Sequence, residues 1–542
     1  MAPLDPEVVS RSNTVPLLTF GGQILLVSGL ATHILLTIRR AAHTLPPAAS
    51  TRDQEPARSR HVAVFYALAF LSLASVSTFA VAWRALSYFY WAEKGNHDTP
   101  GSLWTGWYGT GDDGVGRWRL GDWTRDVDLA READWLAISS PEGFLYTSQQ
   151  FVGLVAASIF MGVEGHKRNL PSPTIASFVA LSTVGSVGFA LSLFFVAILY
   201  TPVALYGGNE PSTRDALFTP KVAVYAVPII SSFVLLYALP DLIAGGSDIT
   251  LLRIGYFAVP LFLAFAPQII PTSWGHEHPT QAAAHRSFRW PFYILGLSSM
   301  LVNWSLITKT FHDNTPSDSS SVYEILMKAL GKEDNSNRFM TALGVTAQKL
   351  KFVSRHPAIS VTASDVLFTT VSLCVWAFVR NLDVEDILDN SFLSFLVSSK
   401  PEKHVVFEDK VDQVEDALPP PESPPKRGRG RPKKSGTVTS STAPSSASTS
   451  VSASSAASLR RSTRRKPKSD YESDMEDTFE PTEQVSREIA QTDSDGSSVA
   501  EDVVHGGESA ALALFLALVG GLGQLGAGVL GAEVTGTASK VV

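Results

Sequence analysis

A single cysteine, Cys374, stands among the 542 residues of this chain. The chain can therefore close no internal disulfide and build no multi-cysteine zinc site. Cys374 falls in an apolar run, where a lone thiol acts as a small core residue. Charge is scarce as well: 18% of residues are Asp, Glu, Lys or Arg, against about 25% in a soluble domain. The net charge of −7 excludes little, because charges of opposite sign are segregated along the chain. No glycine-rich phosphate loop, nucleophile elbow or HExxH motif occurs. Nothing thus points to the nucleotide, acyl-transfer or zinc-protease chemistry those motifs serve. No internal repeat stands out, so an inverted-repeat transporter is not indicated.

What the chain has is apolar length. The clearest runs are 16–37, 62–83, 175–200, 222–239, 254–273, 291–308 and 510–532, each nearly free of charge. A helix of about twenty such residues crosses the hydrocarbon core with every backbone group paired internally. The expected fold is all-α: a polytopic helical membrane bundle of 8–9 transmembrane helices, with a long disordered segment before the last helix. The first fifteen residues carry Asp5 and Glu7 ahead of Arg11. The first run then reads as a signal anchor, not a cleaved leader.

The spacing predicts five regions. Residues 1–310 form a membrane bundle of seven helices, including a span at Phe144–Val163 and a long one at Ile175–Tyr200. Residues 311–363 are a polar linker with short helices, expected on the cytoplasmic side because it carries Lys349, Lys351 and Arg355. Residues 364–399 hold a short apolar helix, spanning or re-entrant. Residues 400–508 are proline-, serine- and acid-rich and too polar to offset chain entropy, so they read as a disordered low-complexity tail. Residues 509–533 are a glycine-rich C-terminal span, where Gly523, Ala527 and Gly531 form a small-residue face for close helix approach.

Arg39, Arg40, Arg58 and Arg60 mark the first link as cytoplasmic, and the acidic second loop then faces the lumen or exterior. Arg286 and Arg289 fit this pattern poorly, since seven spans would leave them outside. Pro260, Pro267 and Pro271 predict a kinked or broken sixth span, and such breaks occur only inside protein or beside a cavity.

Loop 92–147 is the most unusual polar stretch. Seven of the eleven tryptophans fall between Trp83 and Trp135. Asp122 and Asp126 share one helical face, and Asp128 and Glu132 repeat the spacing. Paired carboxylates can hold a magnesium-bound pyrophosphate or raise one another's pKa, as an intramembrane cyclase of a lipophilic small molecule would need. Glu164, at the end of the third span, is a further candidate for proton handling. The competing expectation is a structural cap, its acids paired with Arg117, Arg119, Arg125 and Arg131. His276, Glu277, His278 and His285 share one short loop, where three histidines could bind zinc. A hydrated loop without an arguable fourth ligand or second shell is the expectation, with no metal and no cofactor.

The tail carries Lys426-Arg427-Gly428-Arg429-Gly430-Arg431-Pro432-Lys433-Lys434. These nine residues resemble the AT-hook, which lies in the narrow minor groove of A/T-rich DNA. Arg429, Gly430, Arg431 and Pro432 match the motif's core, where a narrow groove concentrates negative potential, and with Arg427, Lys433 and Lys434 they are the candidates for nucleic-acid or lipid-headgroup binding. A polybasic segment could equally meet anionic lipid headgroups or act as a localisation signal, and a solvated tail needs no partner at all.

Four blocks carry a wider likeness: Gly121–Leu129 with Gln149-Gln150, Gly162–Asn169, Phe194–Ala197, and Gly531-Ala532-Glu533-Val534. With them the chain resembles a group of uncharacterised multi-span integral membrane proteins of filamentous fungi, often encoded near secondary-metabolism genes. The leading expectation is a multi-pass protein of the endomembrane system or plasma membrane, in contact with lipid and handling a lipophilic small molecule, and the resemblance adds an association with secondary metabolism. The open functional classes are an intramembrane enzyme, a tether through the basic tail, and a small-molecule transporter. The sequence assigns no oligomeric state.

Overall fold

The computed structural model describes residues 12–44, 55–97, 99–100, 118–168, 170–201, 218–247, 249–278, 281–314, 333–396 and 498–536. The basic motif 426–434 and residues 400–497 of the tail lie outside the described residues. The fold is all-α. In chain order the helices are α1 (Thr14–Thr44), α2 (Glu55–Lys94), α3 (Leu120–Asp126), α4 (Leu129–Ile138), α5 (Pro141–Lys167), α6 (Ser172–Val184), α7 (Val187–Tyr200), α8 (Val222–Ala244), α9 (Thr250–Ile269), α10 (Gln281–Ser287), α11 (Arg289–Asn314), α12 (Glu333–Val353), α13 (Pro357–Arg380), α14 (Val384–Asp389) and α15 (Ser498–Gly536). Two three-residue strands, β1 (Phe218–Pro220) and β2 (Gly275–Glu277), pair antiparallel.

Among the described residues, eight helices are long and apolar enough to cross a membrane. The first two, α1 and α2, turn leucines, phenylalanines and valines outward, as lipid-facing helices do. Lipid tails are as apolar as leucine, so packing and hydrogen bonds, not water exclusion, hold such helices together. Close packing is visible at Gly162, where a Cβ would lie 2.2 Å from the Ala264 carbonyl oxygen. Aromatic rings fill the centre: Phe195 stacks on Trp376 at 4.2 Å, with Phe65 edge-on to both.

The bundle has two ends, which side-chain contacts identify. At the loop end, α5 begins beside α4. There Asn314 of α11 donates to Glu142 of α5, and Lys349 of α12 donates to Asn314. At the basic end, α5 finishes beside Gln268 of α9, whose amide meets His166. Arg380, the last residue of α13, bonds Glu533 there.

The long run at Ile175–Tyr200 does not cross. It breaks at Gly185-Ser186, and α6 and α7 fold back on each other. Phe178 and Phe194 meet at 5.0 Å between ring centroids, although sixteen residues of straight helix would separate them by about 24 Å. Thr201, just past α7, accepts from Arg168 at 3.2 Å, so the segment returns to the basic end where it began. The expectation of seven spans within 1–310 is therefore corrected to six crossing helices and one re-entrant hairpin.

That change reverses the parity of everything downstream. Arg286 and Arg289 now share an end with Arg39 and Arg40, which removes the misfit in the basic pattern. Of linker 311–363, expected on the same side as the first link, the described helix α12 instead sits at the loop end, where Thr346 accepts from Asn314, and residues 315–332 lie outside the described residues. The short apolar helix expected within 364–399 is the C-terminal part of the 24-residue α13, which begins at Pro357 and is long enough to span, because polar Ser360, Ser364 and Asp365 face inward and extend the apolar run.

α15 folds back as well. Gly521 sits at φ +72° and ψ −168°, a left-handed region open to glycine and costly for other residues. Leu516 packs on Gly528, twelve residues later. Ser509 bonds the Leu382 carbonyl near the start of the apolar stretch Gly506–Gly536 of α15, and Thr535 meets Asn390 at its other end. Both ends therefore lie at the basic end, and the glycine-rich C-terminal span is a second hairpin. By contrast, α9 runs through Pro260 and Pro267 without a break. The breaks sit at glycines, not prolines.

Candidate functional site at the hairpin tips

The two hairpins reach the same depth, and α5 holds both. Gln149 and Gln150 are neighbours on α5, eight or nine residues from its start, which puts them about 12–14 Å from the loop end. Gln149 Oε1 accepts from the Leu522 N–H at 2.6 Å, which caps the second arm of α15. Its Nε2 donates to Asn303 Oδ1 of α11 at 3.1 Å. Gln150 Nε2 donates to Asp365 Oδ2 at 2.9 Å.

Asp365 of α13 in turn caps α7. Its carboxylate accepts from Ser186 Oγ at 2.6 Å, Gly188 N at 2.9 Å and Val187 N at 3.1 Å. The half-helix turns unpaired N–H groups and a positive dipole end into the membrane interior, and the buried carboxylate answers both. Ser72 of α2 closes the shell, with its Oγ 2.9 Å from Ser186 Oγ. Thr369, one turn along α13, lies against both tips: its N is 3.1 Å from a Cβ on Gly188, and its Cγ2 shares the space over Gly153 with Leu522.

The hairpin bases meet α5 a second time. Lys167 and Arg168 lie eighteen residues beyond Gln149 and Gln150, which is five helical turns and returns to the same faces. Lys167 Nζ donates to the Val534 carbonyl at 2.7 Å, on the α15 hairpin. Arg168 Nε donates to Thr201 O, on the α6–α7 hairpin. Glu164 lies between them: Lys167 donates to its Oε1 at 2.8 Å, and Arg168 donates to its Oε2. Glu533 completes the cluster, with Arg380 at 2.9 Å and Arg168 at 4.0 Å. Glu164 and Glu533 are fully buried, and buried charges of this kind persist only when paired. Desolvation lowers the Arg168 guanidinium to about 10, and the Glu533 charge opposes that shift. It stays cationic at neutral pH.

The loop carboxylates do not join this site. Asp128 is the N-cap of α4, where it accepts from the Ala130 and Arg131 N–H groups. Glu132 accepts from Ser87 Oγ at 2.7 Å, and Asp126 from the Trp91 indole at 3.3 Å. Asp134 pairs with Arg253. Asp122 lies on α3, within electrostatic reach of Tyr88. Trp118, Trp123 and Tyr88 pack into a small cluster of their own beneath these helices. Glu164 stands twenty-three residues from the start of α5, about 35 Å along the axis from this end. The structure therefore brings Asp126, Asp128 and Glu132 to one end and Glu164 to the other. Among the described residues, no three His, Cys, Asp or Glu side chains converge as metal ligands.

Sequence reasoning named Glu164 and quoted Gln149-Gln150 and Glu533 only for their likeness to other chains. It passed over Asp365 and Ser186. A usable signal existed in Gly185-Ser186 inside an apolar run, since serine preceding a helix is a strong N-cap. Comparisons with family models, curated proteins and solved structures returned no match.

Proposed function

We propose that this chain is a multi-pass membrane protein that carries a small molecule across the bilayer, with its binding site where the two hairpin tips meet α5. The observation that carries this reading is the pair of half-spanning hairpins held at one depth by adjacent glutamines. Non-helical backbone at membrane depth is tolerated only when it is buried in protein or lines a solute path, and discontinuous helices mark binding sites in transporters. A lone break would fit a packing accident. Two breaks clamped at tip and base by paired residues of one helix favour a moving part.

The basic end is taken as cytoplasmic. Arg39, Arg40, Arg58, Arg60, Arg286 and Arg289 gather at or near it, and Lys and Arg in short links set orientation. The endomembrane system or the plasma membrane is the expected location. The enzyme reading draws less support, because its acids lie apart.

The test is efflux from proteoliposomes loaded with an extract of small metabolites, read by mass spectrometry. A subset should leave vesicles holding the intact protein and stay in vesicles holding the Gln149→Leu, Gln150→Leu double variant. Equal retention by protein-free and protein-bearing vesicles would rule out carriage.

A further inference from the structure

We infer that the solute is neutral and rich in hydroxyl or amide groups, and that it travels between α11 and the α15 hairpin; this rests on the carrier reading above. The observation is a file of buried, uncharged polar side chains along that contact. From the basic end it runs through Asn390, Gln524, Ser299, Gln149 and Asn303 and continues to Thr310. All six are buried, and none carries a charge.

The file is built from two surfaces. On α11, Ser299, Asn303 and Thr310 follow one face at intervals of four and seven residues. On the second arm of α15, Gln524 and Gly531 share a face seven residues apart, and Gly531 lies against Asn390. The tip stands between the two surfaces: Ser299 Oγ meets the Gly520 carbonyl at 3.5 Å, and Gln149 joins Leu522 N to Asn303.

Two groups in the file are left unanswered. Gln524 Oε1 accepts from the Phe392 N–H at 3.2 Å, which fixes the amide orientation, yet its Nε2 has no partner. Asn390 Nδ2 donates to Asp386 O and Thr535 Oγ1, yet its Oδ1 has none. Both residues are at least 99% buried. A buried donor or acceptor without a partner costs about 1–3 kcal/mol, and the bonds each residue does make leave its second group unexplained. One spare donor and one spare acceptor on one face suit a solute that offers both, as hydroxyls and amides do. An anion would leave the Asn390 oxygen opposed, and a cation would leave the Gln524 amide opposed.

The test is stopped-flow light scattering of proteoliposomes under gradients of glycerol, erythritol and urea, with sodium gluconate and choline chloride as charged counterparts. Vesicles bearing the protein should re-swell in at least one neutral solute and in neither charged one. Gln524→Met should cut that rate about tenfold, the worth of one lost hydrogen bond. It should leave the unfolding temperature nearly unchanged, because removing the unpaired donor offsets the loss of the acceptor for the Phe392 N–H. Re-swelling only in a charged solute would overturn the solute class and leave carriage standing. No re-swelling in any solute would take both down. A full rate in Gln524→Met, or a rate lost only together with thermal stability, would overturn the route.

Discussion

The hairpins make a distance prediction with a wide margin. Ser172 and Tyr200 are twenty-eight residues apart, as are Gly507 and Thr535. At a rise of 1.5 Å per residue, straight helices would hold either pair about 42 Å apart. Folded back, the arms lie side by side, and packed helix axes are about 8–10 Å apart. Spin labels at these positions should therefore report about 10–20 Å, allowing for the label arms. The chain is convenient for this, because Cys374 is its only cysteine and is partly buried, so Cys374→Ala gives a clean background. Double electron–electron resonance in nanodiscs reads both distances. A peak near 42 Å for Ser172–Tyr200 would return that segment to a simple crossing and restore the original parity. A peak near 42 Å for Gly507–Thr535 would do the same for α15, and would move the C-terminus to the loop end. Either result removes the shared site.

Two further substitutions probe the clamps. Asp365→Asn keeps the shape but loses charge-assisted bonds to Ser186, Val187 and Gly188. It should cost about 2–4 kcal/mol and lower the unfolding temperature in detergent well below that of Asp241→Asn, an exposed control; equal temperatures would mean the α7 cap carries no stability. Glu533→Gln leaves Arg380 and Arg168 facing a neutral amide in a buried cluster and should cost about 3–5 kcal/mol. Asp134→Asn, which cuts a half-exposed pair with Arg253, should cost under about 1 kcal/mol. The reverse order would contradict the burial argument.

Much of the fold could be read from the chain because lipid imposes a simple rule. Every backbone group must be paired, so twenty apolar residues mean a helix. The lone cysteine, the basic first link and the all-α class follow from composition and pattern. The site was less legible. Glu164 stood out as an acid beside a span, and its partners Lys167 and Arg168 are local, within one turn of helix. Glu533, which joins the same cluster, lies 365 residues from Arg168, and no spacing rule reaches that far.

Whether an apolar run crosses or turns back was decided only by tertiary contacts. Thirty apolar residues satisfy lipid equally well as one helix or as two half-helices. What selects the hairpin is the partner waiting at the break. Ser186 meets Asp365 across 179 positions, and Leu522 meets Gln149 across 373. A freed N–H inside a membrane needs an acceptor, and here each acceptor sits on a helix elsewhere in the chain. The composition of a segment sets that it is buried in lipid; the groups packed against its middle set which side it comes out.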